Sequence, residues 1–293
     1  MKITCFGEVL WDIFPTHKKI GGAPLNVALR LNTMGIKSSI ITKVGADNLG
    51  DDIITYIKTQ GLTIDTILRD DQYQTGEVLV ALDQEGTASY TISYPVAWDF
   101  IEVTKQMINE VSTSDAIIFG SLASRNKVSR KALFQLLDVA QFKILDVNLR
   151  PPHYDIELLL ELMKSADFIK LNDEELNEIC THFEINKTTI EDQIKAIASH
   201  TNTDQICVTK GGKGAVLLYR NSLYHNNGYK VDVVDTVGAG DSFLATLISR
   251  LLKGTQPQLA IDYACAIGAM VAGSEGANPI FSDTEIKSFI EKQ

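Results

Sequence analysis

Short runs of β-branched and apolar residues alternate with segments of helical period along most of the chain. Residues 3–7, 39–44, 116–120, 143–147, 168–171, 206–209 and 215–219 predict strands. Between them, residues 25–34 and 52–60 read as helices that stop at Gly35 and Gly61, the residue type that most readily takes the left-handed turn closing a helix. Strands separated by helices predict βαβ units, and therefore an α/β fold in three α/β/α layers around a mainly parallel sheet. No repeat, low-complexity tract or proline-rich linker marks a domain boundary.

One stretch keeps a different period. Ala88, Tyr90, Ile92 and Tyr94 fall on one face, and Thr87, Ser89, Thr91 and Ser93 on the other, the alternation of a half-buried antiparallel strand. It follows the run 77–82 and the turn-like Asp83-Gln84-Glu85-Gly86, so a hairpin is expected, with residues 11–20 supplying a further strand. A small sheet with one apolar face must cover something. It reads as a dimer contact, as a lid over a ligand, or as both. The expected organisation is one α/β domain over residues 1–293, with the lid built from insertions at about 11–20 and 73–98.

Charge narrows the possible partners. With 27 basic and 37 acidic residues the net charge is −10, which excludes a general binder of nucleic acid or anionic membrane. A small anion held by backbone N–H groups remains compatible with it. Cys5, Cys180, Cys207 and Cys265 include no C-x-x-C pair, so they read as reduced thiols and not as a metal knuckle. Glu8 and Asp12 interrupt the apolar opening stretch, so neither a signal peptide nor a membrane span is expected there. A soluble, cytoplasmic protein is expected.

The densest candidate chemistry lies at residues 233–243. A strand-like run ends at Asp235, the small-residue turn Gly238-Ala239-Gly240 follows, and a helix opens at Asp241 with Leu244, Leu247, Ile248 and Leu251 as its apolar stripe. Bare backbone at a helix start lets an anion approach the N–H groups and the positive end of the dipole. Asp241 in that turn is also a favoured first-turn residue, so a purely structural role stands beside the functional one. Rival glycine motifs fail by inspection. Phe243 stands where a dinucleotide fingerprint needs glycine, no Gly-Lys-Ser/Thr occurs, and Ala272 breaks a G-x-S-x-G around Ser274.

The segment from Asp235 to Asp241 resembles the C-terminal signature of the ribokinase-like (PfkB) carbohydrate kinases. Their N-terminal signature is matched by Gly21-Gly22-Ala23-Pro24-Leu25-Asn26-Val27-Ala28, followed by Val44-Gly45-x-Asp47-x-x-Gly50. With Asp12 upstream and Asn172-Asp173-Glu174-Glu175 midway, the resemblance spans essentially the whole chain. Within the family, Gly7-Glu8-Val9-Leu10-Trp11-Asp12 and the Gly-Gly-Ala-Pro-Leu-Asn run look most like bacterial fructokinases.

The resemblance implies a ribokinase-like fold and an ATP- and Mg²⁺-dependent sugar kinase. Asp241 would be the base that deprotonates the attacking sugar hydroxyl, and the backbone N–H groups of Ala239, Gly240 and Asp241, in the turn that starts at Gly238, would hold the transferring phosphoryl group. Asp12, Gly22 and Asn26 would bind sugar hydroxyls, which short carboxylate and amide side chains suit. Arg150 would contact sugar or phosphate; a surface ion pair explains it as well. Asn172 and Glu175 would organise Mg²⁺ through its waters beside the nucleotide, against the alternative of an acidic first helical turn that the dipole favours anyway.

Thr209, Gly211 and Gly214 would form the nucleotide loop, although a tight turn also explains the glycines. Cys265 stands where ribokinases often show Asn. By analogy Asp235, Val237, Val271, Ser274 and Gly276 would surround a monovalent cation such as K⁺. The expected reaction is phosphorylation of a primary hydroxyl of a ketohexose, with fructose first. A 2-keto-3-deoxygluconate kinase, a ribokinase, a nucleoside kinase and a non-catalytic sugar sensor remain as alternatives. Expected partners are the sugar and ATP, with a homodimer through the lid sheet.

Overall fold

The computed structural model describes residues 1–82 and 88–293. The chain forms two compact units, Met1–Asn32 with Lys37–Gln141, and Thr33–Ile36 with Phe142–Gln293.

In the first unit the strands β1 (Lys2–Phe6), β4 (Lys37–Gly45), β5 (Ile67–Asp70) and β8 (Ala116–Gly120) lie in the order β8-β1-β4-β5, all parallel. Burial on both faces explains their near-continuous apolar sequence: β8 is buried throughout, and β4 from Ser38 onward. The helices of this unit are α1 (Ala23–Thr33), α2 (Asn48–Thr59), α3 (Lys105–Ser112) and α4 (Lys127–Leu137).

A separate four-stranded sheet is built from β2 (Leu10–Ile13), β3 (Lys18–Gly21), β6 (Gly76–Leu82) and β7 (Ala88–Ile92). The predicted hairpin strands pair antiparallel, while the expected turn at 83–86 and Thr87 lie outside the described residues. Residues 11–20 contribute two strands, because the chain reverses between Ile13 and Lys18. On the face carrying Val78 and Val80 those two residues are buried, yet Tyr90 opposite Val80 is 64% exposed. The apolar face is therefore covered at β6 and open at the edge strand β7.

The second unit holds β9 (Lys143–Asp146), β10 (Phe168–Asn172) and β11 (Gln205–Thr209) in parallel, then β12 (Ala215–Tyr219) and β13 (Ser222–Asn226) antiparallel at the edge. Its helices are α5 (Ile156–Lys164), α6 (Asp173–His182), α7 (Ile190–Thr201), α8 (Ala239–Leu252), α9 (Pro257–Ala272) and α10 (Asp283–Glu291). The apolar pattern predicts neither β5 nor β13, since β5 has only four residues and β13 reads Ser-Leu-Tyr-His-Asn. The stripe Leu244, Leu247 and Ile248 of α8 is buried as expected, and so is everything else from Ser242 to Ser249. A helix buried all round carries small and apolar residues on every side.

The Val44–Gly50 motif is a structural knot of the first unit. Asp47 caps α2 by accepting the Gly50 N–H at 2.8 Å, and it also accepts the Thr75 hydroxyl at 2.7 Å and the Thr75 N–H at 2.8 Å. A Cβ on Gly45 would lie 2.6 Å from the Thr75 nitrogen, so the glycine permits this approach. Burial pushes the Asp47 carboxyl up, but the Thr75 and Gly50 hydrogen bonds outweigh it and hold the group below its usual value. Asp47→Ala should destabilise the protein by about 2 kcal/mol in urea unfolding at pH 7. A depressed carboxyl stabilises the fold in full above the unfolded value of about 3.9 and loses that contribution as pH falls towards its lower folded value, so the gap to wild type should narrow as pH falls below about 4. A gap that widens in acid would contradict this role.

Candidate active site

The turn that opens α8 is set by backbone. Gly238 is the N-cap with φ 76°, a left-handed conformation, and offers no side chain to the first N–H groups. A Cβ there would lie 2.6 Å from both the Ala277 carbonyl oxygen and the Ala277 Cβ, so glycine is demanded twice over. The Ser242 N–H makes the first helical bond, to the Gly238 carbonyl at 2.8 Å, and the Ala239 N–H turns back to the Thr236 carbonyl at 3.2 Å. The exposed Gly240 N–H, as a first-turn group, has no carbonyl of the helix behind it. Of the three N–H groups expected to cradle an anion, that of Ala239 is thus already engaged. Asp241 is half-buried in the same turn.

Beneath this turn is a charged cluster that motif matching does not single out. Lys170 on β10 and Asp146 on β9 are register partners, and the Lys170 Nζ donates to Asp146 Oδ1 at 2.9 Å with both side chains buried. Burial pulls the Lys170 ammonium down, but Asp146 first, then Glu175 and Asp241, overcome it and push the group up to about 12. Removing one member of such a buried pair costs about 3–5 kcal/mol, because the other charge stays behind without compensation. A lysine within the apolar run Phe-Ile-Lys-Leu and an aspartate closing Lys-Ile-Leu-Asp are the sequence signal for this pair.

Glu175 joins the cluster from α6. Its Oε2 accepts the Asn172 N–H at 2.8 Å while Asn172 Oδ1 accepts the Glu175 N–H at 2.8 Å, a reciprocal capping box. Its Oε1 accepts the Leu149 N–H at 2.8 Å, which anchors the loop bearing Arg150. Burial raises the Glu175 carboxyl, with Lys170 opposing that rise. The structural alternative for Asn172 and Glu175 is therefore real, and each carboxylate oxygen keeps a lone pair beyond the cap. Arg150 is exposed and donates to its neighbour, the Leu149 carbonyl, at 2.9 Å.

The loop after β11 folds back on itself. Thr209 pairs with Ala215, and the Lys210 N–H donates to the Gly214 carbonyl at 2.8 Å around Gly211. Gly214, at φ 82°, packs against the Asn226 carbonyl so closely that any side chain would collide. Asn226 in turn donates to Asp262 of α9 at 2.8 Å. Cys265 on the same helix is buried, and burial together with Asp262 pushes its thiol up to about 12, so it stays protonated and unreactive. The segments expected to hold a monovalent cation do meet: the Val234 N–H donates to the Ala272 carbonyl at 2.8 Å, and the Asp235 N–H to the same oxygen at 3.2 Å. Asp235 Oδ1 accepts the Val237 N–H at 3.0 Å. The Val271 carbonyl already accepts the Ser274 N–H at 2.9 Å, and Gly276 lies at φ 78°.

The expected sugar residues sit together in the first unit. Register pairs Asp12 of β2 with Lys19 of β3, and its carboxylate fills the space a Cβ on Gly21 would take. Gly22, at φ 116°, lies against the Glu8 carbonyl and accepts the N–H of Asn26, which is buried in the first turn of α1.

Residues 3–284 match the pfkB family carbohydrate kinases. The chain belongs to that family. It is 30% identical over 297 residues to a fructokinase of Escherichia coli, covering 94% of each chain. An uncharacterized sugar kinase from Pyrococcus horikoshii, solved in complex with ATP, aligns with a TM-score of 0.81 at 25% identity over 98% of this chain and 99% of that one. A 2-dehydro-3-deoxygluconokinase from Thermotoga maritima reaches a TM-score of 0.85 at 20% identity, over 99% of this chain and 98% of that one. The sugar-kinase reading and the ribokinase-like α/β fold therefore stand, and among the described residues no helix is long and apolar enough to cross a membrane.

Among the described residues of this kinase, no group of three or more His, Cys, Asp or Glu could hold a metal ion. Mg²⁺ arriving with a nucleotide needs less, since it keeps several waters and takes one or two carboxylates together with phosphate oxygens. A buried Glu175 with spare lone pairs beside an uncapped helix start suits that mode. Gly238→Ala should lower stability by about 2 kcal/mol or more through the forced left-handed conformation. It should also shrink the rise in Tm that MgADP gives the wild-type protein. Thermal melts unchanged in both respects would contradict the reading of this turn.

Proposed function

We propose that this kinase transfers the γ-phosphoryl group of ATP to a primary hydroxyl of a ketohexose, with fructose as the preferred sugar. The observation that carries the phosphoryl-transfer reading is the left-handed, side-chain-free cap at Gly238, which leaves backbone N–H groups and Asp241 in one turn. Phosphoryl transfer asks mainly for position and charge neutralisation, and a helix N-terminus supplies both. Asp241 accepts the proton of the attacking hydroxyl. The weakness of a carboxylate as a base is no obstacle, because a loose transition state draws the proton off late.

Asn172 and Glu175 orient the waters of the nucleotide-borne Mg²⁺, which when bound neutralises charge on the phosphates. Thr209, Gly211 and Gly214 shape the nucleotide loop, and Asp235, Val237, Ser274 and Gly276 present oxygens to a K⁺ ion. Asp12, Gly22 and Asn26 hold sugar hydroxyls, and the four-stranded sheet that carries Asp12 serves as a lid and, along its open edge, as a homodimer contact. Two supports favour fructose: 30% identity to the Escherichia coli fructokinase along 94% of both chains, and the Gly-Gly-Ala-Pro-Leu-Asn run at residues 21–26. Arg150 is the cation a keto acid would require, so 2-keto-3-deoxygluconate is the substrate to test against it.

Asp241→Asn should keep MgATP affinity while turnover falls about 10²–10⁴-fold in an ADP-release assay. Undiminished turnover would remove Asp241 from the mechanism. In a panel of fructose, ribose, 2-keto-3-deoxygluconate and nucleosides, fructose should show the highest kcat/KM. A clear preference for 2-keto-3-deoxygluconate would overturn the sugar assignment, and sugar binding without any phosphorylation would make the protein a sensor.

A further inference from the structure

The buried charge of Lys170 has a neighbour beyond its ion-pair partner. A Cβ built on Gly240 would lie 3.5 Å from the Lys170 Nζ, so the ammonium sits directly behind the backbone of the α8 turn. Three carboxylates act on that ammonium, those of Asp146, Glu175 and Asp241, and Asp146 accepts its hydrogen bond at 2.9 Å. The lysine is held there by strand register, between Asp146 on β9 and Cys207 on β11, not by a flexible surface stem. A polyphosphate approaching the turn would otherwise meet acidic side chains backed only by amide dipoles.

We propose that Lys170 is a positioning residue for phosphoryl transfer: its ammonium, fixed by Asp146 behind Gly240, holds the Asp241 turn and the Glu175 carboxylate in place and offsets their charge when a nucleotide phosphate docks. The proposal rests on the kinase reading of the Gly238–Asp241 turn. In it Lys170 touches neither the sugar nor the reacting atoms. Its positive potential acts through the thin backbone of Gly240, where the absence of a side chain keeps the intervening distance short.

The pair can be dissected, because neutralising both partners of a buried ion pair is far gentler on the fold than deleting one. Asp146→Asn keeps the ammonium behind the turn and removes its counter-ion; Asp146→Asn with Lys170→Met removes both charges. Both proteins should melt cooperatively. Relative to Asp146→Asn, the double variant should lose about a hundredfold in kcat and about tenfold in MgADP affinity by calorimetry, with the KM for sugar moved by no more than about twofold. Lys170→Arg should recover part of the loss in kcat when placed in the Asp146→Asn background in place of Met. Equal kcat and equal MgADP affinity for the Asp146→Asn protein and the double variant would overturn the proposal, leaving Lys170 as the counter-ion of Asp146 and nothing more. A wild-type protein that binds MgADP but phosphorylates no sugar would defeat the kinase reading alone, while the calorimetric comparison still decides for or against Lys170.

Discussion

Helix α8 is buried on every side from Ser242 to Ser249, yet it begins on a glycine that caps nothing. An enclosed helix must satisfy its first N–H groups with side chains, water or a ligand. Here the Ala239 N–H returns to a local carbonyl, that of Thr236, and the Ser242 N–H to that of Gly238. Much of the second unit serves to hold this arrangement. The Val234 and Asp235 amides bind the Ala272 carbonyl, Gly238 fits against Ala277, and β9 and β10 place a buried ammonium behind Gly240. Each contact constrains the backbone at the turn, and none fills it with a side chain.

The same turn reconciles an acidic protein with an anionic ligand. A net charge of −10 would repel ATP from an unstructured surface. The second unit answers locally with two positive groups, the dipole end of α8 and the buried ammonium of Lys170. Overall charge excludes partners that need a broad basic face. It has no bearing on a site of a few ångströms built from backbone.

Fold class and most strands are legible from hydrophobic pattern alone, since parallel strands buried on both faces leave near-continuous apolar runs such as Ala116–Gly120. The elements that escape are short or polar: β5 at a sheet edge, and β13, whose Ser-Leu-Tyr-His-Asn sequence reads as loop. The Gly238–Asp241 turn is legible because a glycine forced to positive φ leaves its mark in sequence. Glu175 is only half legible, because one Asn-x-x-Glu spacing serves both a capping box and a metal-water site, and the structure shows the box. Lys170 leaves only the trace of a lysine inside an apolar strand run. Its meaning depends on Asp146, 24 residues earlier, becoming its register partner across two strands, and that is a tertiary fact.

The claim at the centre is that the α8 turn receives the transferring phosphoryl group. Amide NMR of the protein with ADP, aluminium fluoride, Mg²⁺ and fructose tests it directly, since this mixture mimics the charge and shape of a phosphoryl group in transfer. The Gly240 and Asp241 amide resonances should shift strongly and gain protection from hydrogen exchange. Resonances at Gly240 and Asp241 that stay in place, while others in the chain respond to the same mixture, would contradict it.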